Sequence, residues 1–152
     1  MPRRLVVLVS IALLAAGLGS AAFVAQAGNT SRGSTARQFV GYRMGIDPLD
    51  GGDSRRSIVR GSGRKFALIG RDTVFTLCDG TDRAIVTFSD GTAAGSALVS
   101  GNFVIRCTNN GSTIRLKVRY DVLSRNIIRE TLTTQSGDPV DKIIFHRVSA
   151  RG

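Results

Sequence analysis

The chain has no Trp, one His, two Cys and two Tyr. Each shortage removes a class of function. Single-strand nucleic-acid binders interleave basic residues with exposed aromatic rings on which bases stack, and sugar-stacking lectins need such rings too. Here Phe66, Phe103, Tyr120 and Phe145 fall within apolar strand patterns and read as core. Sequence-specific nucleic-acid recognition is therefore not expected. One His and two Cys do not make a standard structural zinc site, so neither a metal nor a cofactor is expected. No G-x-S-x-G elbow occurs, and "RGSGRK" at Arg60–Lys65 lacks the spacing of a phosphate-binding loop. His146, in "IIFHRVS", is left without a motif partner, although a triad is assembled in space rather than in sequence. No stretch shows a long helical period. After the N-terminus, no apolar segment is long enough to span a membrane.

What the N-terminus does have is an export signal. "MPRR" supplies a basic start, "LVVLVSIALLAAGLG" an apolar run, and "AQA" at Ala25–Ala27 a small-x-small cleavage site. Residues 1–27 are expected to be removed before Gly28, the alternative being an uncleaved anchor. No Cys lies near that site, so a lipoprotein is not expected, and the Arg pair lacks the rest of a twin-arginine signal. The general export route leads to secretion or to a periplasmic or cell-envelope location. Polar residues 28–37 read as a flexible leader, and 38–150 as a single all-β domain. In an oxidising compartment Cys78 and Cys107 are expected to form one disulfide, the alternative being two buried thiols.

The formal net charge is +10, of which Arg3 and Arg4 leave with the signal. Such a balance favours polyanions: nucleic acid, acidic polysaccharide or anionic headgroups. The cations are scattered and mostly Arg, a skew that GC-rich coding also produces. Any polyanion contact would be mainly electrostatic and salt-sensitive.

Short alternating segments separated by turn signals organise the remainder. Strands are expected at Gln38–Met44, Arg56–Arg60, Lys65–Ile69, Thr73–Cys78, Arg83–Phe88, Ala94–Val99, Asn102–Thr108, Thr113–Val122, Asn126–Thr133 and Asp141–Val148. "GSGR", "DGTD", "SDGT", "SGN", "NNGS" and "SGDP" mark the turns between them. The fold class is all-β: a small antiparallel meander of about 8–10 short strands, closed as a barrel or packed as a sandwich.

With Asn110-Gly111 as a two-residue turn, Cys107 faces Ile114, Ile105 meets Leu116 and Phe103 meets Val118 on an apolar face. The other face sets Arg106 opposite Arg115, Val104 opposite Lys117 and Asn102 opposite Arg119. Like charges directly opposite repel, so Arg106, Arg115 and Lys117 are candidate anion-binding residues, unless the long side chains simply splay into water. With Ser124–Asn126 as the next turn, Asp121 faces Arg129 outside and Tyr120 faces Glu130 inside. An inward Glu beside a Tyr is a candidate interior ligand contact. The alternative is a carboxylate at the core's edge, bonded to a nearby Arg.

In "IDPLDGGDSRR" the carboxylates Asp47, Asp50 and Asp53 recur at every third position. The spacing matches neither the EF-hand pattern nor the tandem Gly-Asp repeats of β-helices, a calcium loop or catalytic carboxylates being the alternatives to a turn. Asp-Pro and Asp-Gly-Gly are turn-forming steps in which Asx side chains bond backbone N–H groups. "CDGTDR" repeats the device with Asp79, Asp82 and Arg83. All five Asp are expected to brace structural turns, with an Arg clamp at each.

"VGYRMG" at Val40–Gly45, the successive hairpins and Arg147 in "FHRV" resemble small exported calycin-type barrels such as lipocalins and avidins. In those families an opening Trp and a late Arg pack at the closed end, and the resemblance implies Tyr42 in the place of the Trp. It implies architecture alone. The function expected is an exported, non-catalytic binding or interaction module. Its ligand would be a small apolar molecule inside the barrel, between Phe103, Ile105, Leu116, Val118 and Tyr120, or an acidic envelope or extracellular polymer on the basic face. A small secreted enzyme or enzyme inhibitor is the alternative, and would gather His146, Glu130 or Asp residues around one cleft.

Overall fold

A computed structural model describes residues 36–79 and 83–152. The expected signal at 1–27 and most of the leader lie outside the described residues, as does Asp82. Eight strands follow in chain order: β1 (Gly41–Ile46), β2 (Asp53–Arg60), β3 (Lys65–Asp72), β4 (Ala84–Ala94), β5 (Ala97–Cys107), β6 (Thr113–Ser124), β7 (Ile127–Thr133) and β8 (Pro139–Ser149). Each pairs antiparallel with its chain neighbours, and β1 pairs with β8, closing an up-and-down barrel that leaves no free sheet edge. The all-β expectation holds, and the barrel form is the one adopted.

Ten expected strands become eight for two reasons. Thr73–Cys78 is not a strand: it belongs to the β3–β4 connection, where Cys78 N–H closes a turn on the Phe75 carbonyl at 2.8 Å. Ala94–Val99 and Asn102–Thr108 are largely one strand, because "SGN" is absorbed as a bulge in β5 rather than a turn. "SDGT" likewise lies within β4, whose register on β3 shifts between Phe66 and Leu68. At the leader's end, Ala36–Phe39 form a short helical turn that puts Phe39 into the core.

Alternation decides what faces inward. In β6, Leu116, Val118 and Tyr120 are buried while Arg115, Lys117 and Arg119 are exposed. The core unites Phe39, Phe66, Phe88, Phe103, Tyr120 and Phe145 with the aliphatic residues between them. The Ala36–Phe39 turn and the β2–β3, β4–β5 and β6–β7 connections share one end of the barrel. The other end carries the β1–β2 Asp loop and the β3–β4 connection, which folds Phe75 into the core and is bonded to β5 through Cys78–Cys107, with Cα atoms 5.5 Å apart. Among the described residues no helix is long and apolar enough to cross a membrane.

Candidate functional site

The barrel interior holds charge as well as hydrocarbon. Arg56 is fully buried, and every guanidinium N–H has a partner. Nε and Nη2 grip Glu130 at 2.9 Å each, Nη1 and Nη2 reach Asp72 at 2.6 and 3.2 Å, and Nη1 also reaches the Arg55 carbonyl at 3.0 Å. The guanidinium lies 5.0 Å from the Phe145 ring centre and 5.9 Å from that of Phe103. Tyr120 donates its hydroxyl to Glu130. Burial works against the Arg56 charge, but the Glu130 and Asp72 carboxylates outweigh it and hold the guanidinium pKa well above its ordinary value. Burial, followed by Glu130, pushes the Tyr120 hydroxyl up, so it remains a donor.

Tyr120 and Glu130 do face each other across β6 and β7, as do Asp121 and Arg129. Glu130 is fully buried rather than at the core's edge. The space beside Phe103 and Tyr120, where the sequence reading placed an apolar ligand, is taken by Arg56 and its carboxylates. Arg43 and Arg147 occupy the leader end. Arg43 N–H groups reach the carbonyls of Phe39, Gln38 and Asn126, and Arg147 reaches Gln38 O at 2.6 Å. Burial, with Arg147 close by, lowers the Arg43 pKa to about 10. The late Arg therefore stands at the leader end, bonded to the Arg37 and Gln38 carbonyls. Tyr42 does not: it lies on the outer wall, and Phe39 supplies the buried ring there.

The Asp loop is braced as Asx chemistry dictates. Asp47 Oδ1 accepts the Leu49 N–H at 2.7 Å, and Asp50 Oδ1 accepts that of Gly52 at 2.8 Å. The expected Arg clamp is reduced to one exposed ion pair, Arg55 to Asp53 at 4.0 Å, because Arg56 turns into the barrel. Asp79 takes a left-handed backbone at φ 62°. Asp47 is more than a brace, for it is buried close enough to Asp141, also buried, for each carboxyl to act on the other. Burial and then Asp47 raise the Asp141 pKa to about 7, and burial raises that of Asp47. No group of three His, Cys, Asp or Glu among the described residues is placed to hold a metal ion.

Outside, the β5–β6 register differs from the sequence reading by two residues next to the connection and by three beyond the β5 bulge. The connection is a four-residue loop, in which Gly111 N–H bonds Cys107 O and Cys107 N–H bonds Ser112 O, both at 3.0 Å. Arg106 is thus opposite Thr113, Arg115 opposite Val104 and Arg119 opposite Val99, while Lys117 has Thr133 of β7 beside it. The slip of two next to the connection keeps Phe103, Ile105, Arg106 and Arg115 on their expected faces. Arg106 and Arg115 become diagonal neighbours, about 7–8 Å apart at the backbone and within reach of one anion. Arg115 also bonds Asn102 Oδ1 at 2.7 Å, and Lys117 the Gln135 carbonyl at 2.6 Å. The outward positions of β5 and β6 carry four cations, Arg106, Arg115, Lys117 and Arg119, against one carboxylate, Asp121. His146 faces out from β8 and Glu130 faces in from β7, so the two do not share a cleft. Sequence reasoning missed Arg56 and Asp72. The signal was available, because adjacent Arg55 and Arg56 in a strand must point to opposite faces.

No family model, curated protein or solved structure matches the chain.

Proposed function

We propose that this chain is an exported, non-catalytic β-barrel interaction module that holds an acidic polymer of the cell envelope or extracellular space on the outer face of β5 and β6. The observation that carries this reading is the charge distribution. Inside, Arg56 is neutralised by the chain's own Asp72 and Glu130. Outside, Arg106, Arg115, Lys117 and Arg119 face solvent with Asp121 as their carboxylate. Export rests on the signal-like sequence of residues 1–27, and the Cys78–Cys107 pair suits an oxidising compartment.

The contact would be a row of cations on a rigid wall, released by salt rather than by shape. The test is the affinity for polyglutamate and for polyphosphate at rising salt. Arg106→Ala with Arg115→Ala should weaken binding and lower the slope of log affinity against log salt by about two. Arg60→Ala with Arg64→Ala removes the same charge from the β2–β3 connection and should leave most of the affinity. Equal losses from the two pairs would show a response to net charge and would refute a β5–β6 site.

A further inference from the structure

A second feature of the outer wall lies across β1 to β4. Tyr42, Ser57 and Ile69 form one cross-strand row, and Met44, Arg55, Arg71 and Ile85 form the next. Ser57 is small, so the wall dips between the Tyr42 ring and Ile69. The result is an open hollow of about 300 Å³, bounded by Arg55 and Arg71 and extending to Ile85. That volume is at the lower end of small-ligand sites.

Two properties of this hollow call for a ligand. Arg55 and Arg71 are directly opposite in the β2–β3 register, a like-charge pairing that an anion between them would relieve. Among the described residues, the carboxylate beside Arg55 is Asp53, at 4.0 Å and half exposed, and Arg71 has no ion pair. Ile69 is 60% exposed in the middle of a strand, with Tyr42 in its own row and Ile85 in the next. An apolar floor thus adjoins a pair of guanidinium groups suited to carboxylate or phosphate.

We propose that this hollow binds a small, free anionic amphiphile. Its acidic head sits between Arg55 and Arg71, and its apolar body lies along Ile69, Ile85 and the Tyr42 ring. The hollow adjoins the polymer face at one point, because Arg106 stands directly opposite Ile85 in the same cross-strand row, whereas Lys117 and Arg119 of β6 lie outside that row.

The test is a titration of the ¹⁵N-labelled chain with monomeric sodium decanoate, followed by amide shifts, which also report that each variant is folded. Saturating shifts are expected at Ser57, Ile69, Gly70 and Ile85. Decanol, without the charge, and butyrate, without the body, should each bind at least about tenfold more weakly. Arg55→Ala with Arg71→Ala, or Ile69→Ser, should weaken decanoate by a similar factor, while Lys117→Ala with Arg119→Ala, away from the hollow, should leave it unchanged. Four results would each overturn the site: no saturable binding of decanoate, equal binding of decanol, shifts centred elsewhere, or binding seen with anionic vesicles and not with the monomer.

Discussion

Arg56 and Glu130 stand 74 residues apart in the chain and meet in a two-point grip inside the barrel, Nε on Oε2 and Nη2 on Oε1, each at 2.9 Å. The pairing spans β2 and β7, which are not neighbours in the wall, so it ties opposite parts of the sheet through the interior.

Breaking this grip should be costly from either side. Arg56→Met leaves Asp72 and Glu130 buried without a cation, a loss of about 3–5 kcal/mol. Tyr120→Phe removes one donor to Glu130 and should cost about 1–3 kcal/mol. Urea unfolding midpoints measure both. An Arg56→Met midpoint equal to that of exposed Arg60→Ala would show that the cluster contributes nothing.

Stability should decline as pH rises from about 4 to about 7. Asp141 has a folded-state pKa near 7, raised by burial and by Asp47, against 3.8 as its ordinary value. The folded chain therefore binds more protons than the unfolded chain across that window, and stability falls with pH. Among the described residues Asp141 Oδ2 is buried with no hydrogen-bond partner, which disfavours its charged form. The melting temperature at pH 8 should lie below that at pH 5, and Asp141→Asn should reduce the difference. A curve rising from pH 5 to pH 8, in wild type and variant alike, would contradict this assignment.

Gly70 makes room for Arg56. A Cβ at Gly70 would run into the Arg55 carbonyl and lie 2.7 Å from Val86 Cγ2 and 2.9 Å from Arg56 Cδ. Gly70→Ala should cost about 1–3 kcal/mol by overpacking. Gly101→Ala, with nothing within 4 Å, should change stability by less than about 0.5 kcal/mol. Thermal melts of the two variants compare them directly, and equal values would rule out the crowding.

The Cys78–Cys107 bond closes a separation of 29 residues. On the chain-entropy account, replacing both Cys by Ala should cost about 3–4 kcal/mol. Denaturant titration should show a lower midpoint for the double variant than for the oxidised chain. An unchanged midpoint would mean that the bond adds no stability.

Much of this architecture was legible because alternation and turn residues act locally. Leu116, Val118 and Tyr120 share a face by period alone, and the β6–β7 register follows from a short turn. Turn length was the weak point at β5–β6. Asn110-Gly111 signals a two-residue hairpin, yet Asn110 Oδ1 accepts the Ser112 N–H and Gly111 takes φ +70° within a longer loop. The interior cluster was harder to read. Ser54, Arg56 and Ile58 share one face of β2, and Arg55, Ser57 and Val59 the other, so neither face is plainly apolar. Only the distant carboxylates Asp72 and Glu130 decide which Arg turns in, and that choice is tertiary.

The most direct test of a self-filled interior with recognition on the outer wall is one amide and Arg Nε–H shift map, recorded as the chain is titrated with polyglutamate at low salt. The account predicts shifts along Arg106, Arg115 and Lys117, with the Arg56 Nε–H signal unmoved. Shifts at Arg56, Tyr120 and Glu130 with the β5–β6 face silent would contradict it, and would place recognition inside the barrel.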